Sequence, residues 1–179
     1  SSAASDVYKR QEVNGVREFQ KDRGETFAGP SAGSFVLAVQ DAVIAAENAV
    51  IAAESLGIGS CYIGDIMEQK EYHKTLFNLP EYVFPVAMLT LGYYPEDYMV
   101  PLKERFAEKY VVFEERYNEL SKEDIDDMFR KREQLFTAKN KYNAKNYAQM
   151  HYNFKVKAPF SKEMQRSVEE ALKEWDKKE

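Results

Sequence analysis

The fold of this chain is decided by residues 34–64, SFVLAVQDAVIAAENAVIAAESLGIGSCYIG. This stretch predicts one long apolar helix that ends at a glycine and leads into a short strand. Its polar residues occur in pairs spaced seven positions apart, in one narrow stripe: Gln40 and Asp41, Glu47 and Asn48, Glu54 and Ser55. A surface helix usually has the opposite balance, with an apolar stripe about 100° wide. We therefore expect this helix to be covered on most of its sides, by its own domain or by another chain.

Both ends of the predicted helix carry capping residues. Ser34 is the expected N-cap, because its hydroxyl can accept a hydrogen bond from an otherwise unpaired backbone amide. Gly57, followed by apolar Ile58, fits the left-handed position of a Schellman-type C-terminus. From Ser34 to Leu56 the helix would span about 33 Å, which is long enough to cross a bilayer. Three acidic residues along it favour a buried helix of a soluble protein instead, so no membrane partner is expected.

The composition narrows the class of protein. At 179 residues and 44% hydrophobic content, the chain is long enough for one domain with a real core. Its net charge of −5 gives no reason to expect nucleic acid as a partner. A single cysteine, Cys61, excludes an intrachain disulfide, and without a secretory signal a cytoplasmic location is expected. Cys61 is predicted to be a small buried core residue, and the isolated His73 and His151 predict no metal site.

Two apolar segments are the candidate strands. The first, near residues 60–63, follows the long helix directly. The second, FPVAMLTL at residues 84–91, is a continuous apolar run, which predicts a strand buried on both faces. Because two strands rarely form an independent sheet, either another strand lies within residues 102–118 or part of the sheet lies outside this chain.

Three further helices complete an expected α+β layer protein. A short helix is predicted at residues 68–79. Ser121, with Asp124 three positions later, resembles a capping box and opens a helix that continues to about residue 136. A final amphipathic helix is expected to begin at Ser161.

Three segments could contribute to ligand binding, and each also has a purely structural interpretation. Gly59 and Gly64 flank a short strand, so the backbone could approach a flat group or simply form a tight helix–strand junction. Lys103 and Arg105 would point the same way from an extended segment and could hold one phosphate, or be a solvated pair. The lysine-rich residues 139–157 could hold the phosphates of a nucleotide, with tyrosines stacking on its rings, or be a solvated basic loop.

Three stretches resemble the FMN-dependent nitroreductase family, in the right order and at matching spacing: AVQDAVIAAENAVIAAESLGIGSCYIGDI, LPEYVFPVAMLTLGYYPED and PLKERF. The closest resemblance is to its oxygen-insensitive, NADPH-linked nitroreductase and flavin reductase branch. It covers residues 34–106, and residues 107–175 are similar to the helical C-terminal extension of that branch. The resemblance implies a nitroreductase-like α+β fold of the obligate dimer type, with a mixed sheet flanked by helices around a long central apolar helix.

The resemblance also implies residues that bind FMN. The family segment whose backbone lies against the flavin ring corresponds to Tyr62, Ile63 and Gly64. The family's pair of cations on the FMN phosphate corresponds to Lys103 and Arg105. No side chain is expected to act as a catalytic acid or base, because the cofactor supplies the redox chemistry.

A second implied site concerns the nicotinamide co-substrate. The region where the branch binds the extra phosphate of NADPH corresponds to a stretch that contains Lys139, Lys141 and Lys145. Members of the branch carry arginines there. Lysine is a point charge rather than a planar fork, so it discriminates less by geometry. The choice between NADPH and NADH is therefore left open, and NAD(P)H is the expected co-substrate.

The family pattern is incomplete at the N-terminal end of this sequence. The Arg-Arg-Ser type motif, helix pair and first strand that open the family are not found. We therefore expect an N-terminally truncated nitroreductase-like core at residues 12–106, preceded by a non-native-looking leader at residues 1–11. Residues 107–179 are expected to be the C-terminal helical extension of the same domain.

The function implied by the resemblance is a homodimeric FMN-dependent oxidoreductase. It would use NAD(P)H to reduce nitroaromatics, quinones or free flavin by a ping-pong hydride transfer. The wide apolar surface of the long helix resembles half of an obligate interface, which favours the homodimer. The alternative, motivated by the missing N-terminal motif, is a truncated, non-catalytic dimeric fragment that retains only part of a flavin-binding site.

Overall fold

A computed structural model describes Gly24, residues 29–99, Leu102 and residues 104–176. Five helices are present in this part of the chain: α1 (Ala32–Ser55), α2 (Lys70–Leu76), α3 (Lys122–Gln134), α4 (Tyr147–His151) and α5 (Pro159–Trp175). The strands are β1 (Gly59–Ile63) and β2 (Met88–Gly92). Single turns of 3₁₀-helix cover Gly64–Met67 and Glu108–Tyr110, and a π-helical turn covers Tyr152–Val156. The predicted α+β class is confirmed.

The described residues divide into two compact units. Unit 1 contains those up to Glu96 together with those from Pro159 onwards, and unit 2 contains Asp97–Ala158. The boundary between a family-related core at 12–106 and a C-terminal extension at 107–179 stays a prediction. In the structure, α5 packs within unit 1, against α1 and α2.

The N-cap of α1 is Ser31, so the prediction of Ser34 was wrong. The amide of Ser34 donates to the hydroxyl of Ser31 at 3.3 Å, and the amide of Ser31 donates to the hydroxyl of Ser34 at 3.4 Å. In such a capping box the first residue is the N-cap and the second lies three positions into the helix. At the other end the prediction is confirmed: Gly57 has φ +72°. The amides of Gly57 and Ile58 donate to carbonyls of the last turn, both at 2.9 Å, which is the Schellman pattern.

One side of α1 is buried and another side is exposed. The buried residues recur at helical spacing and are mostly small: Phe35, Ala38, Ala42, Ala46 and Ala53. Large apolar residues lie on a second stripe and are 42–61% exposed: Val36, Leu37, Val43, Ile44 and Ile51. We call this second set the exposed apolar face. Within the described chain the helix is therefore not covered on most of its sides, which leaves coverage by another chain as the remaining prediction.

The length and apolar composition of α1 would also suit a membrane span. Its most apolar window has a mean hydropathy of 1.6, and 22% of that window is buried. Core helices of globular proteins meet the same criterion, so this property alone carries little weight. The expectation of no membrane partner stays a prediction.

The sheet of the described chain has two antiparallel strands. Gly59 pairs with Gly92 at one end, and Ile63 pairs with Met88 at the other. The predicted strand at 84–91 was only half right, because residues 84–87 are not part of β2. Pro85 has no amide to donate to a sheet. The second half of β2 is exposed, so the expected burial on both faces was also wrong.

An aromatic cluster forms the core of unit 1. Phe35 of α1 meets Trp175 of α5 edge to face, with ring centroids 5.3 Å apart. Phe84 lies 5.9 Å from Phe35, and Tyr82 lies 6.1 Å from Trp175. All four side chains are at most 7% exposed. Because aromatic side chains bury the largest apolar areas, this cluster fixes α5 against α1.

Polar contacts attach α5 to α2 as well. The amide of Lys70 donates to the hydroxyl of Ser167 at 3.0 Å, and its ammonium lies 2.6 Å from the Glu174 carboxylate. Arg166 donates two hydrogen bonds to Glu71, at 3.0 and 2.8 Å. Hydrogen bonding to Arg166 is the largest cause that lowers the pKa of Glu71, to about 2. The first turn of the short helix α2 is thus tied to α5.

Unit 2 is built around α3. Its predicted cap is confirmed, since the Ser121 and Asp124 side chains each accept a hydrogen bond from the other's backbone amide. The guanidinium of Arg132 lies over the ring of Phe106, 4.0 Å from its centroid. The buried Tyr110 donates from its hydroxyl to the carboxylate of Asp127. Aromatic–cation and hydrogen-bonded contacts therefore provide much of the packing of this unit.

Candidate functional site

Tyr62 and Ile63 are the last two residues of β1, and Gly64 begins the 3₁₀ turn that follows it. The Tyr62 hydroxyl donates a hydrogen bond to Oε2 of Glu47 at 3.2 Å. Partial burial and then the adjacent Glu47 carboxylate raise the pKa of the Tyr62 phenol, so it stays neutral at physiological pH. The polar stripe of α1 thus has a structural use, because one of its carboxylates anchors the side chain that precedes Ile63 and Gly64.

The two glycines that flank β1 differ in their surroundings. A Cβ placed on Gly59 would lie 2.5 Å from the ring of Tyr94, so at this end the flat group close to the backbone is a side chain of the same chain. A Cβ placed on Gly64 would meet nothing within 4 Å. The backbone at Gly64 is therefore open on this side, as contact with a planar ligand would require.

Arg105, one of the two predicted phosphate cations, lies in unit 2. Lys103 lies outside the described residues. Arg105 is exposed and lines a groove of about 360 Å³, with four further cations: Lys109, Arg130, Lys131 and Arg132. Within the described residues Arg105 is seen with no ion pair. Its guanidinium is thus available to an anion, as a phosphate ligand would need to be.

The other cations of this groove are largely engaged. Asp127 accepts hydrogen bonds from Tyr110 and from Lys109 and pairs with Arg130. The Tyr110 hydrogen bond, followed by the Lys109 one, lowers the pKa of Asp127. Lys131 pairs with Glu104. Arg105 is therefore the groove cation best placed to respond to an added phosphate.

Asn140 organises the loop that carries the predicted nucleotide lysines. Its side-chain oxygen accepts from the amides of Tyr142 and Ala144, at 3.1 and 3.0 Å, and its side-chain nitrogen donates to three carbonyls of the same loop. The lysines of this segment are all exposed: Lys139, Lys141 and Lys145. Lys141 lies over the rings of Tyr142 and Phe154, 4.9 and 5.7 Å from their centroids. The three lysines lie on one loop, and their part in binding the dinucleotide phosphate stays a prediction.

Sequence reasoning missed a second concave surface of unit 2. A groove of about 490 Å³ lies between α3, α4 and the π-helical turn. Its lining is mainly aromatic and aliphatic, with acidic and amide groups: Ile125, Asp126, Phe129, Glu133, Asn146, Tyr147, Ala148, His151, Tyr152 and Val156. We call it the aromatic groove. The spacing of Tyr147, His151 and Tyr152 could have indicated it. In a helix these three rings lie on one side, but the segment was not predicted to be helical.

Two other expectations concern reactive and metal-binding residues. Cys61 is exposed on β1, so the prediction of a buried core cysteine was wrong. Its neighbour Tyr62, which points to the other face of the strand, is exposed as well, so neither face of β1 is fully covered at this point within the described chain. No group of three His, Cys, Asp or Glu side chains that could hold a metal occurs within the described residues.

Comparison with known families gives a match that coincides with these segments. The nitroreductase family model matches residues 13–93, which include α1, β1 and β2. Residues 13–93 are thus similar in sequence to the nitroreductase family. The family resemblance predicted from the sequence is thus confirmed, and the nitroreductase match covers the predicted flavin-ring segment. It ends before Lys103, so it does not extend to the phosphate cations.

Two relatives agree with this assignment. The chain is 33% identical over 110 residues to a Cr(VI) reductase of Pseudomonas sp. (strain G-1), which involves 59% of this chain and 42% of that protein. It is 29% identical to NfrA2 of B. megaterium, with a TM-score of 0.67, over 93% of this chain and 66% of that one.

A third comparison supports the nitroreductase fold alone. The NADPH:FMN oxidoreductase of Vibrio harveyi, solved in complex with NAD+, is 20% identical, with a TM-score of 0.63. The match covers 87% of this chain and 63% of that one. The chain thus spans less than two thirds of the length of the relatives described here.

Proposed function

We propose that the chain is an FMN-dependent oxidoreductase that uses NAD(P)H to reduce nitroaromatics, quinones or free flavin. The observation that carries the proposal is the open backbone at Gly64, directly after Tyr62 and Ile63, in a segment that matches the nitroreductase family. Relatives named as a Cr(VI) reductase and as an NADPH:FMN oxidoreductase support the redox class.

The residues of this chain would bind and orient FMN rather than perform acid–base chemistry. The backbone of Tyr62, Ile63 and Gly64 would lie against the ring, and Lys103 and Arg105 would hold the phosphate. When bound, FMN supplies the capacity to accept a hydride and return two electrons. The hydrogen bond from Tyr62 to Glu47 would restrain the ring-contacting segment before the ligand arrives, which reduces the entropy lost on binding.

The proposal includes a homodimer formed through α1. The exposed apolar face places five large aliphatic side chains on one side of a helix of 24 residues. Exposed apolar stripes of this kind mark interfaces in obligate dimers, which resemble a domain core cut in half. A dimeric mass in light scattering at micromolar concentration is the expected result, and a monomeric mass would remove the dimer from the proposal.

The co-substrate is proposed to be a nicotinamide dinucleotide that reaches the lysine-rich loop. Lys139, Lys141 and Lys145 are exposed, and each ammonium can move to meet a phosphate. Point charges on flexible stems give attraction without strict geometry. Under this proposal either NADPH or NADH can serve as the co-substrate.

The test of flavin binding is a titration of the purified protein with FMN, followed by absorbance and by quenching of flavin fluorescence. Lys103→Ala and Arg105→Ala should each weaken binding about 10- to 100-fold, because a charge-assisted hydrogen bond is worth roughly 1.5–3 kcal/mol. Arg116→Ala is the matched control, since it removes an exposed cation of the same unit that does not line the groove.

Two outcomes would count against the proposal. A protein that stays colourless and gains no flavin signal would support the alternative of a non-catalytic, family-related fragment. Equal FMN affinity in the native protein and in both phosphate variants would refute the phosphate assignment while leaving flavin binding in place.

A further inference from the structure

We propose that the aromatic groove of unit 2 binds the adenine base of a nucleotide. The proposal rests on the proposed use of a nicotinamide dinucleotide and identifies which part of that ligand the groove would recognise. It is carried by the shape of the groove, the rings that line it and the arrangement of its polar groups.

The size and lining of the groove suit a flat heterocycle. Its volume of about 490 Å³ falls within the range of small-molecule sites, roughly 300–1,000 Å³. Tyr147 stacks on His151 with ring centroids 5.8 Å apart and planes 28° from parallel, and Phe129 lies 6.1 Å from Tyr147. Aromatic side chains are the usual platforms on which nucleic acid bases stack.

The polar groups of the groove match the edge of adenine. Oε2 of Glu133 accepts a hydrogen bond from the amide of Tyr147 at 2.9 Å, which fixes the carboxylate and leaves Oε1 as a second acceptor. Adenine presents an amino donor beside a ring-nitrogen acceptor. Oδ1 of Asn146 accepts from the amide of Gln149 at 2.8 Å, so the Asn146 nitrogen remains the donor. A carboxylate for the amino group and an amide donor for the ring nitrogen are the complement that adenine requires.

The charges in and beside the groove favour the base over the phosphates as its occupant. Its lining, within the described residues, contains the carboxylates of Asp126 and Glu133 and neither lysine nor arginine. These acids would repel a phosphate. Lys145 immediately precedes Asn146, so the lysine-rich loop leads directly into the groove lining. The chain thus places cations next to an acidic pocket that favours hydrogen-bond donors, as a base with attached phosphates would need.

Glu133→Gln is the variant that tests this inference most directly. A glutamine can still accept the Tyr147 amide through its oxygen, while its nitrogen turns the second acceptor into a donor. The packing is kept and only the polarity toward the ligand changes. Glu123→Gln is the matched control, because Glu123 is exposed on the same helix and does not line the groove.

The probes are adenosine 5′-monophosphate and purine riboside 5′-monophosphate, which lacks the amino group, titrated by calorimetry into FMN-free protein. In the native protein and in Glu123→Gln the adenine compound should bind at least tenfold more tightly. In Glu133→Gln this preference should fall to less than threefold, and Tyr152→Ala should weaken both probes by a similar factor. Circular dichroism of each variant checks that the helices are retained.

Three results would overturn the inference: no binding of the adenine probe, equal binding of the two probes to the native protein, or an unchanged preference in Glu133→Gln. The FMN titration is independent of all three. FMN binding without adenine binding would reject the groove and leave the proposed oxidoreductase intact. Adenine binding with the expected variant effects, but no FMN signal, would reject the flavin function and retain the groove.

Discussion

Unit 1 and unit 2 are stabilised internally by different kinds of contact. In unit 1, Phe35, Phe84 and Trp175 pack in a cluster that is nearly inaccessible to solvent. In unit 2, the buried hydrophobic residues among those described are Tyr110 and Ala144, and other contacts carry the packing. These include the stacking of Arg132 on Phe106, the edge-to-face contact of Phe106 with Phe129, the hydrogen bond of Tyr110 to Asp127 and the Asn140-centred loop.

The two units are therefore sensitive to different kinds of substitution. A unit held by apolar packing loses stability when volume is removed. A unit held by cation–ring contacts and hydrogen bonds loses stability when a single donor or acceptor is removed, and tolerates changes in exposed apolar residues. Both candidate grooves lie in unit 2, so its ligand-binding surfaces rest on the more easily perturbed contacts.

The largest expected effect is the loss of the indole ring of unit 1. Trp175→Ala should lower the free energy of unfolding by about 3–5 kcal/mol, because it leaves a cavity between Phe35 and Tyr82. Urea denaturation followed by circular dichroism measures this change. The matched substitution in unit 2, Leu135→Ala, removes a side chain that is 82% exposed and should change stability by less than about 0.5 kcal/mol. Similar losses in the two variants would break the comparison.

The structure of unit 1 was also easier to predict from the sequence than that of unit 2. Some features depend only on residues close together in the sequence, and these could be predicted. They are the pattern of apolar and polar residues along α1, the glycine at its end and the serine–aspartate cap of α3. The N-cap was missed because Ser31 and Ser34 are chemically equivalent, and only their mutual geometry decides which one is the cap.

Unit 2 was less predictable because its contacts join residues of unlike type across the sequence. Nothing in the spacing of Phe106 and Arg132, or of Glu133 and Tyr147, indicates that they meet. For the candidate site, the family motif predicted Tyr62 to Gly64. The open space at Gly64 and the hydrogen bond of Tyr62 to Glu47 were not predicted. Both depend on how β1 lies against α1 after the chain reverses direction.

The N-terminal helix caps of the two units should differ in strength. Ser121→Ala removes a cap whose partner is the Asp124 carboxylate, with hydrogen bonds of 2.7–3.1 Å. Ser31→Ala removes a cap between two neutral serines, at 3.3–3.4 Å. Charge-assisted caps are stronger, so we expect a loss of about 1–2 kcal/mol for Ser121→Ala and about 0.5–1 kcal/mol for Ser31→Ala. Chemical denaturation compares them, and the reverse order would contradict the greater polar dependence of unit 2.

The smallest expected effect concerns acid sensitivity in unit 1. The pKa of Glu71 is about 2 rather than the ordinary 4.5, chiefly because of its hydrogen bonds to Arg166. A carboxyl with a lowered folded-state pKa contributes stability above pH 4.5 and loses that contribution as pH falls toward 2. Arg166→Gln should therefore cost stability at pH 7, with the difference from the native protein shrinking between pH 4.5 and 2.

The magnitude of this pH effect should be small, since the two side chains are 45% and 61% exposed and water screens exposed pairs. Thermal denaturation across this pH range measures it. A loss in Arg166→Gln as large as that in Trp175→Ala would mean that unit 1 depends on polar contacts after all.

Because Gly59 lies close to the ring of Tyr94, the residues that each of these two positions can accept depend on each other. Any side chain at 59 would occupy space that the ring now fills, since its Cβ would come within 2.5 Å of the ring carbons. A larger residue at one position is compatible with the strand only beside a smaller residue at the other. Natural variants and designed libraries should therefore change these two positions together, with their sizes inversely related, and a survey of single changes would underestimate the tolerance of both.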